Sequence, residues 1–159
     1  MNWKLNKIVI VDIDGTISKV GERIKYLQQK PKDWDSFYKD CFKDEPIWPI
    51  IELVSALYER HIGDDSLYEI VFCTGRREQC REKTIAWFNN IHKYSFAECR
   101  ILMRKDNDLR HDIEVKPELL RDAGIKFDDI AFVIEDRNMM VKKWRELGLI
   151  CIQPFDGDF

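Results

Sequence analysis

The amino-acid sequence predicts an α/β protein in which a parallel sheet carries helices on both faces. Short, continuously apolar runs alternate along the chain with amphipathic stretches, which is the pattern of β-α-β units whose strands are buried on both sides. The chain has 159 residues, of which 45% are hydrophobic and 35% charged, as is typical of one globular domain. We therefore expect one domain over residues 1–159, with a small cap-like insert at about residues 16–48, where the alternation breaks.

Five apolar runs are predicted strands, at residues 7–13, 68–73, 99–103, 130–134 and 149–152. Between them, three sets of apolar residues recur at the spacing of one helical face: Ile50, Ile51, Val54, Leu57 and Tyr58; Cys80, Ile85, Trp87, Phe88 and Ile91; and Met139, Met140, Trp144 and Leu147. Gly148 follows the third set, at the position where a left-handed residue ends a helix. We expect these helices to pack on the sheet.

The insert contains a short helix with an aromatic face. Its apolar positions recur at helical spacing, and Asp33 precedes them as a suitable N-cap: Trp34, Phe37, Tyr38, Cys41 and Phe42. This face either packs on the domain, which is the more common role of such a stripe, or forms a platform on which a substrate stacks.

The charge balance and cysteine content exclude several classes of protein. Lys and Arg total 26 and Asp and Glu total 29, so the net charge of −3 provides no general positive field for nucleic acid or an anionic membrane. The five cysteines include no C-x-x-C pair, so we expect reduced thiols and neither a disulfide framework nor a zinc site. No apolar stretch approaches the ~18 residues of a membrane helix, and we expect a soluble, cytoplasmic protein that does not contact a membrane.

Two carboxylates follow the first predicted strand. Asp12 and Asp14 are two residues apart, so they point to the same side at the carboxyl end of a buried strand. At ~4 Å their repulsion would be about 4 kcal/mol at an effective dielectric near 20, which calls for a cation or a shared proton. A hard divalent ion such as Mg²⁺ suits such an all-oxygen site. Asp14-Gly15 could instead form a hairpin turn, but no alternating strand follows it.

Two other strand ends carry complementary chemistry, and ligands of open α/β sheets bind at that edge. The second strand leads into Thr74-Gly75-Arg76-Arg77, which we interpret as a phosphate-binding glycine turn before a helix. Thr74 could alternatively be an ordinary helix N-cap. The fourth strand ends in Glu135-Asp136-Arg137, which supplies a second acidic pair as candidate metal ligands, with solvated surface charge as the alternative.

Lys116 is a candidate for the cation of this site. Pro117 disfavours an α conformation at the preceding residue and suits a first helical turn, so we expect Lys116 to stand just before a helix that begins at Pro117. A lysine is usually a solvated surface residue. Beside several carboxylates and a phosphate, however, its ammonium would keep Asp12 ionised and oppose charge on the phosphoryl oxygens.

The ordered motifs Asp12-Ile13-Asp14-Gly15-Thr16, Thr74, Lys116 and Glu135-Asp136 resemble the four signature motifs of the haloacid dehalogenase (HAD) superfamily phosphatases. The resemblance extends to the 3′-phosphatase domains of phage polynucleotide kinase/phosphatase, through Arg23, Arg104, the Asp112 to Lys116 spacing, Arg137, Trp144 and the ending Gly157-Asp158-Phe159. It implies a HAD-like Rossmannoid sheet. The chain has no G-x-x-x-x-G-K-[ST] loop, so kinase activity is not expected of it.

The family resemblance implies a role for each motif. Asp12 would attack phosphorus to form an aspartyl-phosphate, and Asp14 would act as general acid and base. Mg²⁺ would be held by the Asp12 carboxylate, the Asp14 carbonyl and Asp136, with Glu135 as a ligand or next to one. Thr74 and Lys116 would hold the phosphoryl group. The remaining candidates for substrate binding are Gly75, Arg76, Arg23, Arg104, Asp112 and Arg137.

The substrate predicted from this resemblance is a 3′-phosphate at the end of DNA or RNA. Several arginines would form a local basic rim for such a strand: Arg23, Arg76, Arg77, Arg104, Arg110 and Arg137. A separate kinase or ligase could complete the repair of the end. One alternative is a HAD phosphatase for nucleotides or other small metabolites. A more distant one is a receiver-like phosphoacceptor, but the third predicted strand runs into Met103-Arg104-Lys105 without the carboxylate that a receiver needs there.

Overall fold

The computed structural model describes residues 8–59, 68–91 and 96–158. The strands are β1 (Ile8–Val11), β2 (Ser18–Lys19), β3 (Glu45–Pro46), β4 (Glu69–Arg77), β5 (Arg100–Arg104), β6 (Ile130–Ile134) and β7 (Cys151–Ile152). The helices are α1 (Lys25–Gln28), α2 (Trp34–Lys39), α3 (Trp48–Glu59), α4 (Arg81–Asn90), α5 (Asp112–Asp122) and α6 (Asn138–Glu146). Short 3₁₀ turns lie at Gly21–Ile24, Cys41–Lys43, Glu78–Cys80, Phe96–Glu98 and Phe127–Asp129.

A five-stranded parallel sheet in the order β5-β4-β1-β6-β7 forms the centre of the fold. Val11, the last residue of β1, pairs with Phe72 of β4 on one side and Ile134 of β6 on the other. The chain leaves β1 toward β4 and later leaves β6 toward β7, so the crevice between β1 and β6 is the switch point of the sheet. Residues that follow these two strands are therefore placed at the usual ligand site of an open α/β sheet.

Both faces of the sheet are covered, as the continuously apolar strands predicted. Val9 and Val11 contribute to a core with α3, α4 and the insert, whereas Ile10 belongs to a second core with α5 and α6. The three predicted helical faces lie on α3, α4 and α6, except that Cys80, Ile91 and Leu147 lie just outside the helix bounds. Gly148 has a φ of 83° and ends α6, as predicted. All five cysteines are free.

The segment between β1 and α3 folds over the carboxyl end of β1. It is framed by an antiparallel pair in which Ser18 is opposite Pro46 and Lys19 is opposite Glu45. The predicted aromatic helix is α2, and the Asp33 carboxylate accepts a hydrogen bond from the Ser36 amide at its start (2.9 Å). The residues of the predicted aromatic face differ in burial. Phe37, Tyr38 and Cys41 are buried, Trp34 is half-buried, and Phe42, which follows the end of the helix, is exposed.

Two local predictions were wrong. The second predicted strand was expected to end at Cys73, but β4 continues to Arg77, so Gly75 lies in a strand with a bulge and not before a helix. The helix expected to begin at Pro117 begins five residues earlier, and Pro117 lies inside α5. Proline weakens a helix at this point, but buried ion pairs of Lys116 hold the preceding residue in place, as shown below. The first residue of the first predicted strand, Lys7, lies outside the described residues.

Candidate active site

Lys116 and two carboxylates meet at the carboxyl ends of β1 and β6. The Lys116 Nζ atom lies 2.7 Å from Oδ1 of Asp12 and 2.6 Å from Oε2 of Glu135, and all three side chains are buried. The Asp12 amide donates to the Ile134 carbonyl (3.0 Å), which extends the β1–β6 pairing to the site itself. Residues more than a hundred positions apart in sequence are thus brought together as the motif order predicted.

Three buried carboxylates form a compact cluster next to this ammonium. Ligand oxygens of Asp12, Glu135 and Asp136 all lie within 4.8 Å of one another. Burial and the Glu135 charge raise the pKa of Asp12 to about 7, and burial and the Asp12 charge raise the pKa of Asp136 to about 7. The Thr16 hydroxyl donates to Asp136 Oδ1 (2.9 Å) and fixes its orientation. Buried oxygens that repel one another at this spacing fit a hard divalent cation such as Mg²⁺, because its charge would relieve the repulsion.

Asp14 has a different environment from Asp12. Arg76 binds it through Nε (3.0 Å) and Nη2 (2.6 Å), and Arg23 Nη2 lies 2.9 Å from its Oδ1. Burial would raise the pKa of Asp14, but the charges of Arg76 and Arg23 outweigh burial and lower the pKa to about 2. The pKa values of the two carboxylates of the first motif are therefore shifted in opposite directions, upward for Asp12 and downward for Asp14.

The positions of Arg23 and Arg76 differ from the prediction that they contact substrate. Arg76 is 0% exposed, and besides Asp14 it binds the hydroxyl of Thr84 (3.1 Å). Arg23 donates to the Phe37 carbonyl (2.7 Å) and to the carboxylate of Asp14. Neither guanidinium lines the cavity described below. Both belong to the support of Asp14, so the predicted basic rim is smaller than the sequence suggested.

Asp44 is a buried carboxylate of the insert that the sequence analysis did not identify. It accepts hydrogen bonds from Arg23 Nε (2.7 Å) and from the Ser18 hydroxyl (2.5 Å), and Arg76 Nη2 lies 3.4 Å away. It therefore shares both arginines with Asp14. In sequence it lies between Lys43 and Glu45 and looks like solvated charge, and the β2–β3 pairing that buries it has no clear sequence signal.

The end of β4 supplies a polar wall. Thr74 is buried, and its Oγ1 accepts from the Arg76 amide (3.2 Å). The Gly75 carbonyl accepts from the Tyr38 hydroxyl (3.0 Å) and from Arg104 Nε (3.2 Å). Burial and the Asp14 charge raise the pKa of Tyr38 above its usual value, so its hydroxyl remains a donor.

Asp112 joins two of the predicted substrate-binding arginines. Its carboxylate accepts a hydrogen bond from Arg104 on one oxygen and from Arg137 on the other. A Cβ atom on Gly75 would lie 2.8 Å from Asp112 Oδ1, so only glycine allows this close approach. Burial would raise the pKa of Asp112, but Lys116, Arg137 and Arg104 lower it below its usual value.

These groups open into one cavity of about 490 Å³. The predicted site residues that line it are Asp12, Asp14, Thr74, Gly75, Arg104, Asp112, Lys116 and Arg137, and Arg77 and Arg110 of the predicted rim line it as well. Glu135 and Asp136 are not among the residues that line it, but their ligand oxygens lie within 4.8 Å of that of Asp12. A phosphate that enters this cavity meets a carboxylate nucleophile candidate next to an ammonium, with a hydroxyl and guanidiniums around it.

Residues 6–159 match the family model of the polynucleotide kinase PNKP phosphatase domain. The chain belongs to this family. It is a HAD-type phosphatase, and its sheet is the one predicted from the motifs. The receiver-like alternative is therefore excluded.

Solved structures agree with this assignment. A chain of the Pnkp1/Rnl/Hen1 complex is 28% identical with a TM-score of 0.76, over 99% of this chain and 49% of that chain. A chain of the Pnkp1/Rnl/Hen1 RNA repair complex is 29% identical with a TM-score of 0.76, over 96% of this chain and 43% of that one. The phosphatase thus spans less than half the length of these relatives. A predicted phosphatase from Clostridium acetobutylicum shares the fold, with a TM-score of 0.64 and 19% identity over 92% of this chain and 83% of that one. None of the helices that the structure describes has the length and apolarity needed to cross a membrane.

Proposed function

We propose that this phosphatase removes 3′-phosphates from nucleic-acid ends through an aspartyl-phosphate on Asp12, with Mg²⁺ bound in the acidic cluster. The observation that carries the proposal is the contact between Lys116 Nζ and Asp12 at the floor of a cavity that also holds Thr74 and Asp14. The family supports nucleic acid as the substrate class.

The cluster of Asp12, Glu135 and Asp136, together with the Asp14 carbonyl, would hold the Mg²⁺ ion. When bound, the ion supplies positive charge that offsets the negative charge of the phosphoryl group. Lys116 supplies a second positive charge and is fixed by Asp12 and Glu135. Burial would lower the pKa of Lys116, but the charges of Asp12 and Glu135 raise it well above its usual value, so the ammonium is charged in the free protein.

In the first step, an oxygen of Asp12 forms a bond to phosphorus, and the bond from phosphorus to the 3′-oxygen of the leaving strand breaks. Asp14 donates the proton that the 3′-oxygen needs. Arg76 and Arg23 keep Asp14 ionised in the free enzyme, so the proton must be taken up with the substrate. The negative charge of the phosphate favours this uptake, because a nearby like charge raises the pKa of a carboxyl group.

In the second step, a water molecule attacks the phosphorus of the aspartyl-phosphate. Asp14, ionised again after the first step, accepts the proton of this water, and the bond between phosphorus and the Asp12 oxygen breaks to release phosphate. In the free protein, Arg76 and Arg23 lower the pKa of Asp14, which favours its return to the ionised form after phosphate leaves.

The proposal is tested with an oligonucleotide that carries a 3′-phosphate, assayed for phosphate release with Mg²⁺ and with a chelator. We expect release to require the metal, Asp12→Asn to abolish it, and acid quenching to trap phosphate on the wild-type protein. Asp156→Asn, which changes an exposed carboxylate, is the matched control. Normal turnover by Asp12→Asn would refute the nucleophile. Faster hydrolysis of mononucleotides than of oligonucleotides would favour the small-metabolite alternative.

We further propose that a separate kinase or ligase acts with this phosphatase on the same nucleic-acid ends. The support is that both of the more similar solved chains belong to multi-protein assemblies, one of them described as an RNA repair complex.

A further inference from the structure

The cavity has an apolar side that the transfer of a phosphoryl group does not use. Many of its lining residues are charged, but the insert contributes an apolar wall of Leu27, Pro31, Trp34 and Phe37, together with Lys32 and Tyr38, and Leu109 lines the cavity as well. Phosphates and sugars need polar partners, and a substrate that consists only of these groups would leave this wall in contact with water. The wall therefore indicates an apolar, planar part of the substrate.

Trp34 is held firmly at this wall. Its ring stacks on Tyr38 with centroids 5.9 Å apart and planes at 24°, and it meets Phe37 edge-on at 5.9 Å and 83°. Phe37 and Tyr38 are themselves buried in the core. Trp34 is half-buried and still lines the cavity, and the Lys32 ammonium lies 5.6 Å from the centroid of its ring. The indole is therefore a supported, partly open aromatic surface with a cation beside it. Aromatic residues with this combination of support and exposure are well suited to stacking.

Leu109 is the second apolar group, and its exposure is imposed by its loop. Its side chain is 82% exposed. Arg104 Nη1 donates to the carbonyls of the residues on either side, Asp108 (3.0 Å) and Arg110 (2.6 Å), and the Arg110 amide donates to Asp108 Oδ1 (3.0 Å). The backbone around Leu109 is thus fixed by an arginine that also reaches the active site through Asp112. A leucine held in water at the edge of a cavity suggests a contact made only when substrate is bound.

We propose that Trp34 and Leu109 bind the base of the terminal nucleotide whose 3′-phosphate occupies the cavity floor. This inference rests on the proposed function and specifies how its substrate is recognised. Stacking and apolar contact are available to every base, so the site selects a nucleotide end without selecting its sequence. The aromatic face of α2 therefore has both of the roles considered for it: Phe37 and Tyr38 are buried in the core and also line the cavity, and the half-buried Trp34 is the residue proposed to stack on the base.

The test compares two oligonucleotides that carry a 3′-phosphate and differ only in their last nucleotide, which has a base in one and is abasic in the other. Glycerol phosphate serves as a third substrate. Trp34→Ala is expected to lower kcat/KM on the substrate with a base by about 5- to 150-fold, mainly through KM, which is the range for loss of one stacked base. The loss should be confined to the substrate that carries the base.

Three further variants make the test specific. Trp34→Phe should restore most of the loss, since it keeps an aromatic ring. Leu109→Ser changes an exposed side chain, so it should fold normally and show a smaller loss on the same substrate. Trp48→Ala removes another half-exposed tryptophan, outside the cavity lining, and should behave as wild type.

The outcomes separate this inference from the proposed function. If the wild type hydrolyses both oligonucleotides equally well, or if Trp34→Ala lowers the rates on all three substrates by the same factor, the base-binding role is wrong while the 3′-phosphatase stands. If the wild type hydrolyses glycerol phosphate but neither oligonucleotide, the proposed function fails and the inference fails with it.

Discussion

Replacing Lys116 by methionine tests the electrostatic account of the site. Methionine keeps most of the length of the side chain but removes both the charge and the hydrogen-bond donors of the ammonium. Lys116 is 1% exposed and contacts Asp12 at 2.7 Å and Glu135 at 2.6 Å. Without it, two buried carboxylates face each other with no cation between them. Breaking a buried ion pair on one side costs about 3–5 kcal/mol of unfolding free energy, and we expect Lys116→Met to lose this much at pH 8 in the absence of metal.

The loss should depend on pH, with a sign that follows from Asp12. Burial and Glu135 raise its pKa in the folded protein from 3.8 to about 7, whereas Lys116 opposes the rise. Removing the lysine therefore raises the pKa further. A raised pKa in the folded protein means that folding favours the protonated carboxyl. This contribution to the unfolding free energy is fully present below the pKa of the unfolded state and is lost as the pH rises through the pKa of the folded state. The variant should be close to wild type near pH 5 and increasingly destabilised toward pH 8.

Urea denaturation with a chelator at both pH values measures this effect. Lys142→Met is the matched control, because its ammonium is exposed and lies 3.9 Å from Glu146 on the surface of α6; its unfolding free energy should change by less than about 1 kcal/mol. A loss below about 1 kcal/mol for Lys116→Met at pH 8, or the same loss at both pH values, would refute the reasoning, because a buried uncompensated carboxylate must cost more than a surface pair.

Two further variants test residues that support the site without reacting. In Gly157→Ala, the new Cβ would lie 2.3 Å from Oδ2 of Asp136 and would displace this candidate metal ligand. We expect the Mg²⁺ concentration for half-maximal activity to rise at least about 10-fold, as it does when a metal ligand loses a supporting contact. An unchanged Mg²⁺ titration would contradict this expectation. In Asp44→Asn, the shared partner of Arg23 and Arg76 loses its charge, so we expect the unfolding free energy to fall by about 1–3 kcal/mol and kcat to change more than KM. Asp40→Asn is the control, because the changed carboxylate pairs with Lys43 on the surface. An unchanged kcat in Asp44→Asn would argue against a link between Asp44 and Asp14.

The convergence of the motifs could be predicted because it depends on the sheet. An apolar run followed by Asp12 and Asp14 indicates a buried parallel strand, and parallel strands bring their carboxyl ends to one edge. For Lys116, one prediction was confirmed and one was wrong. Its place in the site was predicted, but the local helix start was wrong, because the preference of the residue before Pro117 is weaker than two buried ion pairs.

The sequence could not predict which arginines bind internal carboxylates and which line the cavity. Arg76 and Arg77 are neighbours in sequence, yet Arg76 is buried against Asp14 and Arg77 lines the cavity. Nothing in the local sequence shows which guanidinium is taken by an internal carboxylate. Arg23 and Arg76 also share a second partner, Asp44, which lies next to the pairing of β3 with β2 across the insert.

The internal use of these arginines bears on the proposed binding of a nucleic-acid end by an acidic protein with a net charge of −3. Arg23 and Arg76 are bound to Asp14, and Arg104 is bound to Asp112. Guanidiniums in such pairs orient groups near the phosphate but add little long-range attraction, since each is next to a carboxylate of opposite charge. The strand binding proposed above would then depend more on short-range contacts than on a positive surface. In that proposal, the apolar wall that contains Trp34 would supply such contacts to the base next to the phosphate.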